Sequence, residues 1–86
     1  MNTAEMNTQL VLLLKKWDPF KIGPNHYDTE IADVIQATHS TEDSKHLAGA
    51  IQHIYEFSFE EFIPFIHCEV IAEKLLYIKN QASCSL

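Results

Sequence analysis

The chain has 86 residues, 47% hydrophobic and 21% charged, enough for one small globular domain with a thin core and too apolar for a disordered tail. Its formal net charge is −6 and all six cations are lysines. Without arginine, the usual bidentate reader of phosphate and guanine, nucleic acid and anionic membranes are poor partners, and a basic or neutral partner fits better.

Asn2 and Glu5 form a cap and its reciprocal partner, and Met6, Leu10, Leu13, Leu14 and Trp17 recur at helical spacing, which predicts a first helix from Thr3 to Trp17. Val11 and Leu12 lie off that stripe, so this helix is apolar over a wide arc and is either central in the bundle or pressed against a second subunit. Trp17-Asp18-Pro19-Phe20 ends the helix and opens a loop that runs to Tyr27. Asp18 precedes a proline and Gly23-Pro24 adds a second break, so the loop is expected to be a stiff, ordered bend.

That bend has two readings. As structure, Phe20, Ile22 and Tyr27 fold back over Trp17, with Asp18 accepting backbone hydrogen bonds in an Asx-type turn. As function, the same aromatics line a groove in which Asp18 or His26 meets a partner.

Asp28 is the expected cap of a short second helix with Ile31, Val34, Ile35 and Thr38 as its inner stripe. Ser40 followed by Asp43 repeats the capping pattern, and Leu47, Ile51, Ile54 and Tyr55 supply the stripe of a third helix, with Lys45, Gly49, Gln52 and Glu56 on its wet face. Ser58 with Glu61 reads as a capping box, and Phe57 with Phe62 as a hydrophobic staple. The third helix is therefore expected to end near Phe57, with a one-turn helix at Phe59 to Ile63 before the last helix, Phe65 to Lys79. Cys68, Ile71, Ala72, Leu75 and Ile78 form the main stripe of that helix, and Ile66, Val70 and Tyr77 a second one. Asn80 to Leu86 lacks periodicity and caps and is expected to fray. The expected fold is all-α, one small four-helix bundle-like domain over residues 1–86.

The segments Val11 to Phe20, Tyr27 to Val34 and Ile54 to Glu61 resemble the YugE-like family of small bacillar-type proteins, a domain of unknown function. The resemblance covers about residues 8–79. Its most specific piece is Trp17-Asp18-Pro19, followed about ten residues later by Tyr27-Asp28 and a short helix. It implies a compact all-helical bacterial domain and brings no catalytic residue with it.

Five histidines invite a metal reading. His46 and His53 share a helix face two turns apart, but roughly 10 Å of axial separation is too much for one ion with bonds near about 2.0 Å. Cys68 beside His67 is the one nucleophile with a neighbouring base, yet adjacent helical residues point roughly 100° apart, and Cys68 belongs to the apolar stripe. Neither cysteine has CxxC spacing, the N-terminus has no leader pattern, and Phe62 to Ile78 is too short and too charged to span a bilayer, which together suggest a reduced, cytoplasmic protein. The expected function is a non-enzymatic protein–protein interaction or regulatory module without a cofactor, binding a protein partner or a second copy of itself. Its candidate contact residues are Trp17, Asp18, Phe20, His26 and Tyr27 in the bend and Glu56, Glu60 and Glu61 as an acidic patch. The alternative is a metal- or small-molecule-binding domain using His46, His53 and nearby carboxylates. Convergence of the histidines would favour the alternative, and scatter the interaction module.

Overall fold

Each of the four periodic stretches folds as a helix. A computed structural model describes residues 2–84, which form α1 (Thr3–Trp17), α2 (Asp28–Ser40), α3 (Ser44–Phe59) and α4 (Phe65–Cys84), with a single 3-10 turn at Pro24–His26. The Asn2 side chain accepts the Glu5 amide at 2.8 Å and so caps α1, and Asp43 accepts the Lys45 amide at 3.0 Å and caps α3. The expected cap of α2 is corrected. Tyr27 occupies the N-cap position without a side-chain hydrogen bond, and Asp28 is the first helical residue, its charge beside the positive end of the helix dipole.

Leu10 and Leu14 of α1, Val34 of α2, Leu47 and Ile51 of α3 and Leu75 of α4 meet in one fully buried core. α3 and α4 make the broadest contact in the molecule, and α1 and α2 each lie against α4 as well. The radius of gyration, 12.2 Å, equals the roughly 12 Å of a compact chain of this length. The long dimension of 40 Å therefore reflects the reach of the 20-residue α4, roughly 30 Å by itself, and not a loosened core.

Two expectations about the second half of the chain are corrected. Ser58 is no cap: α3 continues through Phe59 and ends at Glu60, which adopts a left-handed conformation and donates its amide to the Glu56 carbonyl at 2.8 Å. Phe57 and Phe62 are 81% and 66% exposed and form no staple. The ring of Phe59 packs on Phe20 and Tyr27, and this contact draws α3 one half-turn past the local stop. Nor is there a one-turn helix before α4. The chain runs irregularly from Glu60 to Pro64, with Ile63 buried and its carbonyl held by the Gln52 side-chain amide at 2.8 Å. The Pro64 carbonyl then receives the first amides of α4, from His67 and Cys68.

Asn80 to Cys84, where the sequence shows no periodicity, continue α4, for no glycine or proline follows Lys79 to stop it and Gln81 and Ala82 are good helix formers. Residues 85 and 86 lie outside the described residues. The length of α4 has a consequence for α2. The Lys79 ammonium donates to the carbonyls of Thr38 and Thr41 at 2.9 and 3.0 Å and pairs with Glu42 at 2.9 Å. Those carbonyls close the C-terminus of α2, where no intrahelical donor remains, so α4 clasps the α2–α3 junction.

Lys79→Met, which keeps the apolar stem, should lower stability by about 1–3 kcal/mol through loss of two charge-assisted hydrogen bonds; the ion pair with the exposed Glu42 adds little. Ser58→Ala should change stability by less than about 0.5 kcal/mol, as an exposed helical position without a cap role should. Urea titrations of the three proteins check both; equal midpoints for Lys79→Met and the parent would show that the clasp does not hold in solution.

Candidate functional site

The bend after α1 is built around one carboxylate. Asp18 turns into a left-handed conformation at the end of α1, and its two oxygens accept the amides of Ile22 at 3.0 Å and Gly23 at 3.1 Å. The Tyr27 hydroxyl donates to the same carboxylate at 2.5 Å and accepts the Phe20 amide at 3.2 Å. Lys21 is also left-handed, at φ 56°, a conformation that costs a non-glycine residue about 1 kcal/mol and persists because these bonds enforce it. Gly23 sits at φ 103°, where an added Cβ would also press on the His26 ring at 3.3 Å. The hydrogen bond from Tyr27 above all, then those from the Ile22 and Gly23 amides, hold the Asp18 carboxyl below its ordinary 3.8 against the opposing effect of burial. Burial first, and this carboxylate second, push the Tyr27 hydroxyl up to about 12.

The aromatic residues of the bend turn inward. Tyr27 is fully buried, Trp17 and Phe20 are half-buried, and all three meet Tyr55, with Trp17 edge-on at 5.3 Å, Tyr27 at 5.7 Å and Phe20 at 6.3 Å. Tyr55 serves the cluster by its ring alone: its buried hydroxyl has no hydrogen-bond partner among the described residues. Trp17, Phe20 and Tyr27 thus join the end of α1 and the bend to α3, Asp18 anchors the bend, and His26 stands exposed beside them.

The acidic patch is different. Glu56, Glu60 and Glu61 line an open groove of about 720 Å³ with His53, Phe57 and Phe62. Glu56 and Phe57 come from the last turns of α3, Glu60 is its left-handed cap, and Glu61 and Phe62 lie on the irregular segment before α4. Every one of these side chains is exposed. The groove brings two exposed phenylalanines together with three carboxylates and one imidazole, a lining suited to an apolar side chain flanked by positive charge. On the sequence alone the phenylalanines fit a staple, and His53 fits the metal alternative. A signal for Phe57 existed, since it stands about 200° round the helix from Tyr55 and must point away from the core.

His26, His39, His46, His53 and His67 are all exposed and do not converge. His39 meets Asn7 at 2.9 Å, and among the described residues no group of three histidine, cysteine or acidic side chains could hold a metal ion. Cys68 is buried in the core, and burial pushes its thiol up to about 11, the opposite of what a nucleophile needs. No helix among the described residues is long and apolar enough to cross a membrane.

Comparison with known proteins agrees with this all-helical outline. The family model described as Domain of unknown function (DUF1871) matches residues 9–85. The chain is 44% identical over 85 residues to uncharacterized protein YugE of Bacillus subtilis (strain 168), covering 99% of each. It is also similar to a crystal structure of a Bacillus stearothermophilus protein, with 47% identity, a TM-score of 0.89, and coverage of 91% of this chain and 96% of the other.

A pH dependence follows from the bend. The Asp18 carboxyl is depressed in the folded state, so its contribution to stability is complete above 3.8 and is lost as pH falls below that value. Tyr27 is raised, so its contribution is complete below 10 and is lost as pH rises toward about 12, a limb shared with Tyr55 and Cys68, which burial also raises. Thermal melts from about pH 6 to about pH 2.5 should show a shallower acid loss for Asp18→Asn than for the parent. Parallel acid limbs would disprove the assignment.

Proposed function

The chain belongs to the DUF1871 family of unknown function, and from that premise we propose that it is a non-enzymatic, cytoplasmic interaction module whose contact face is the groove at the α3–α4 corner. The observation that carries this reading is the pair Phe57 and Phe62, 81% and 66% exposed beside Glu56, Glu60 and Glu61. Two phenylalanines held out to water on neighbouring segments form an exposed apolar patch rimmed by charge, and such patches mark contact surfaces.

The partner that fits is a peptide segment with one apolar anchor between lysine or arginine residues. The anchor would cover the two phenylalanines and the cations would face the three glutamates, a pairing also favoured by the chain's net charge of −6. The residues of the Trp17–Tyr27 bend support this face from behind, through Phe20 and Tyr27 on Phe59, and are not themselves the contact surface.

Amide chemical-shift titration with a short peptide carrying one tryptophan between lysines, against the same peptide with glutamates in place of the lysines, checks the proposal. Shifts should concentrate at residues 53–62, appear with the basic peptide alone, and weaken with added salt. Phe57→Ala and Phe62→Ala should each raise the Kd about tenfold or more without loss of helicity. Equal responses to both peptides, or shifts centred elsewhere, would overturn it.

A further inference from the structure

The outer face of α4 carries a helical stripe that the fold leaves uncovered. Val70 is 47% and Tyr77 66% exposed, and Glu73 and Lys74 stand exposed between them. These residues are spaced as i, i+3, i+4 and i+7, so they lie on one face of the helix. With Leu13 of α1 and Ile78 they line a shallow groove of about 400 Å³.

The order along this stripe is apolar, acidic, basic, apolar. Read backward, it is apolar, basic, acidic, apolar. A two-fold axis passing midway between Glu73 and Lys74 therefore places Val70 against the partner's Tyr77 and Glu73 against the partner's Lys74, and both pairs occur twice. The centre that pairs the charges also pairs the apolar residues. An isologous contact requires such self-complementarity, in which residue i meets j and j meets i.

We infer that a second copy of this chain docks on this face, its α4 antiparallel to the first, with Val70, Glu73, Lys74 and Tyr77 as the centre of a two-fold interface. Charge selects the occupant. The chain carries −6, so two copies repel unless they meet where charge is locally balanced. The α4 stripe, with one acid and one base, is balanced, whereas the three glutamates of the α3–α4 corner would face each other in a symmetric contact there. One helix face with a single flanking residue from α1 makes a small interface, and the dissociation constant expected is on the order of 10–100 µM.

Charge reversal tests the register directly. Glu73→Lys sets lysine against lysine at both symmetric pairs, and Lys74→Glu sets glutamate against glutamate, so each should weaken the dimer about tenfold or more in sedimentation equilibrium. The double swap Glu73→Lys/Lys74→Glu restores opposite charges across the axis. An equimolar mixture of the two single variants does the same, since one partner then carries two bases and the other two acids. Both should regain dimer, and the mixture should form a heterodimer. All four positions are exposed, so circular dichroism should show unchanged helicity, and Tyr77→Ser should remove association with the fold intact. A monomeric parent at about 500 µM would overturn the inference. So would single variants that dimerise like the parent, or a mixture and double swap that stay monomeric, because a dimer built on another face or in another register gives those results.

Discussion

The Asp18 carboxylate gathers the end of α1, the bend and the start of α2 into one unit, and the position of the candidate site depends on it. A helix that ends in Trp-Asp-Pro has carbonyls to satisfy and a chain that must reverse without regular structure. By accepting the amides of Ile22 and Gly23 together with the Tyr27 hydroxyl, Asp18 supplies the acceptors the bend lacks and fixes where Tyr27 enters the core. Tyr27 and Phe20 then present their rings to Phe59. Once Phe59 faces inward, Phe57 two residues earlier must face out, and the groove lined by Phe57 and Phe62 follows. The inner and outer aromatic residues are two sides of one constraint.

Much of this was legible in the sequence where the governing interactions are local. Asn2 and the apolar stripe gave α1 its observed bounds, Thr3–Trp17, and Asp18 before a proline pointed to an Asx-type turn because acceptor and amides lie within five residues. The Tyr27–Asp18 hydrogen bond was not legible, for it requires the bend to have closed already. At Ser58 and Glu61 a local pattern for a helix start competed with packing of Phe59 on rings 30 to 40 positions away, and packing prevailed. The Lys79 clasp depends on where α4 passes the end of α2, which no local pattern encodes. The acidic residues of the candidate groove were identified from charge, but their aromatic companions were not, because Phe57 and Phe62 fitted a staple equally well on paper.

Two of the exposed apolar patches differ in charge. At the α3–α4 corner Phe57 and Phe62 sit among glutamates, and on α4 Val70 and Tyr77 flank one glutamate and one lysine. A domain this small gains little from a larger core of its own, so two faces of different electrostatic character allow contacts that do not compete for the same surface. The clasp of Lys79 on Thr38 and Thr41 keeps α4 fixed while its outer side remains open.

The chain holds one tryptophan, and its position makes the molecule self-reporting. Trp17 lies half-buried at the junction of helix and bend, edge-on to Tyr55 at 5.3 Å. Its indole emission therefore senses the closure of the bend rather than the helical content of the domain. Loosening of the segment from Asp18 to Tyr27 would shift that emission toward the red while the far-ultraviolet signal of the four helices stayed unchanged, so the spectrum distinguishes a local opening at the aromatic cluster from global unfolding without any added label.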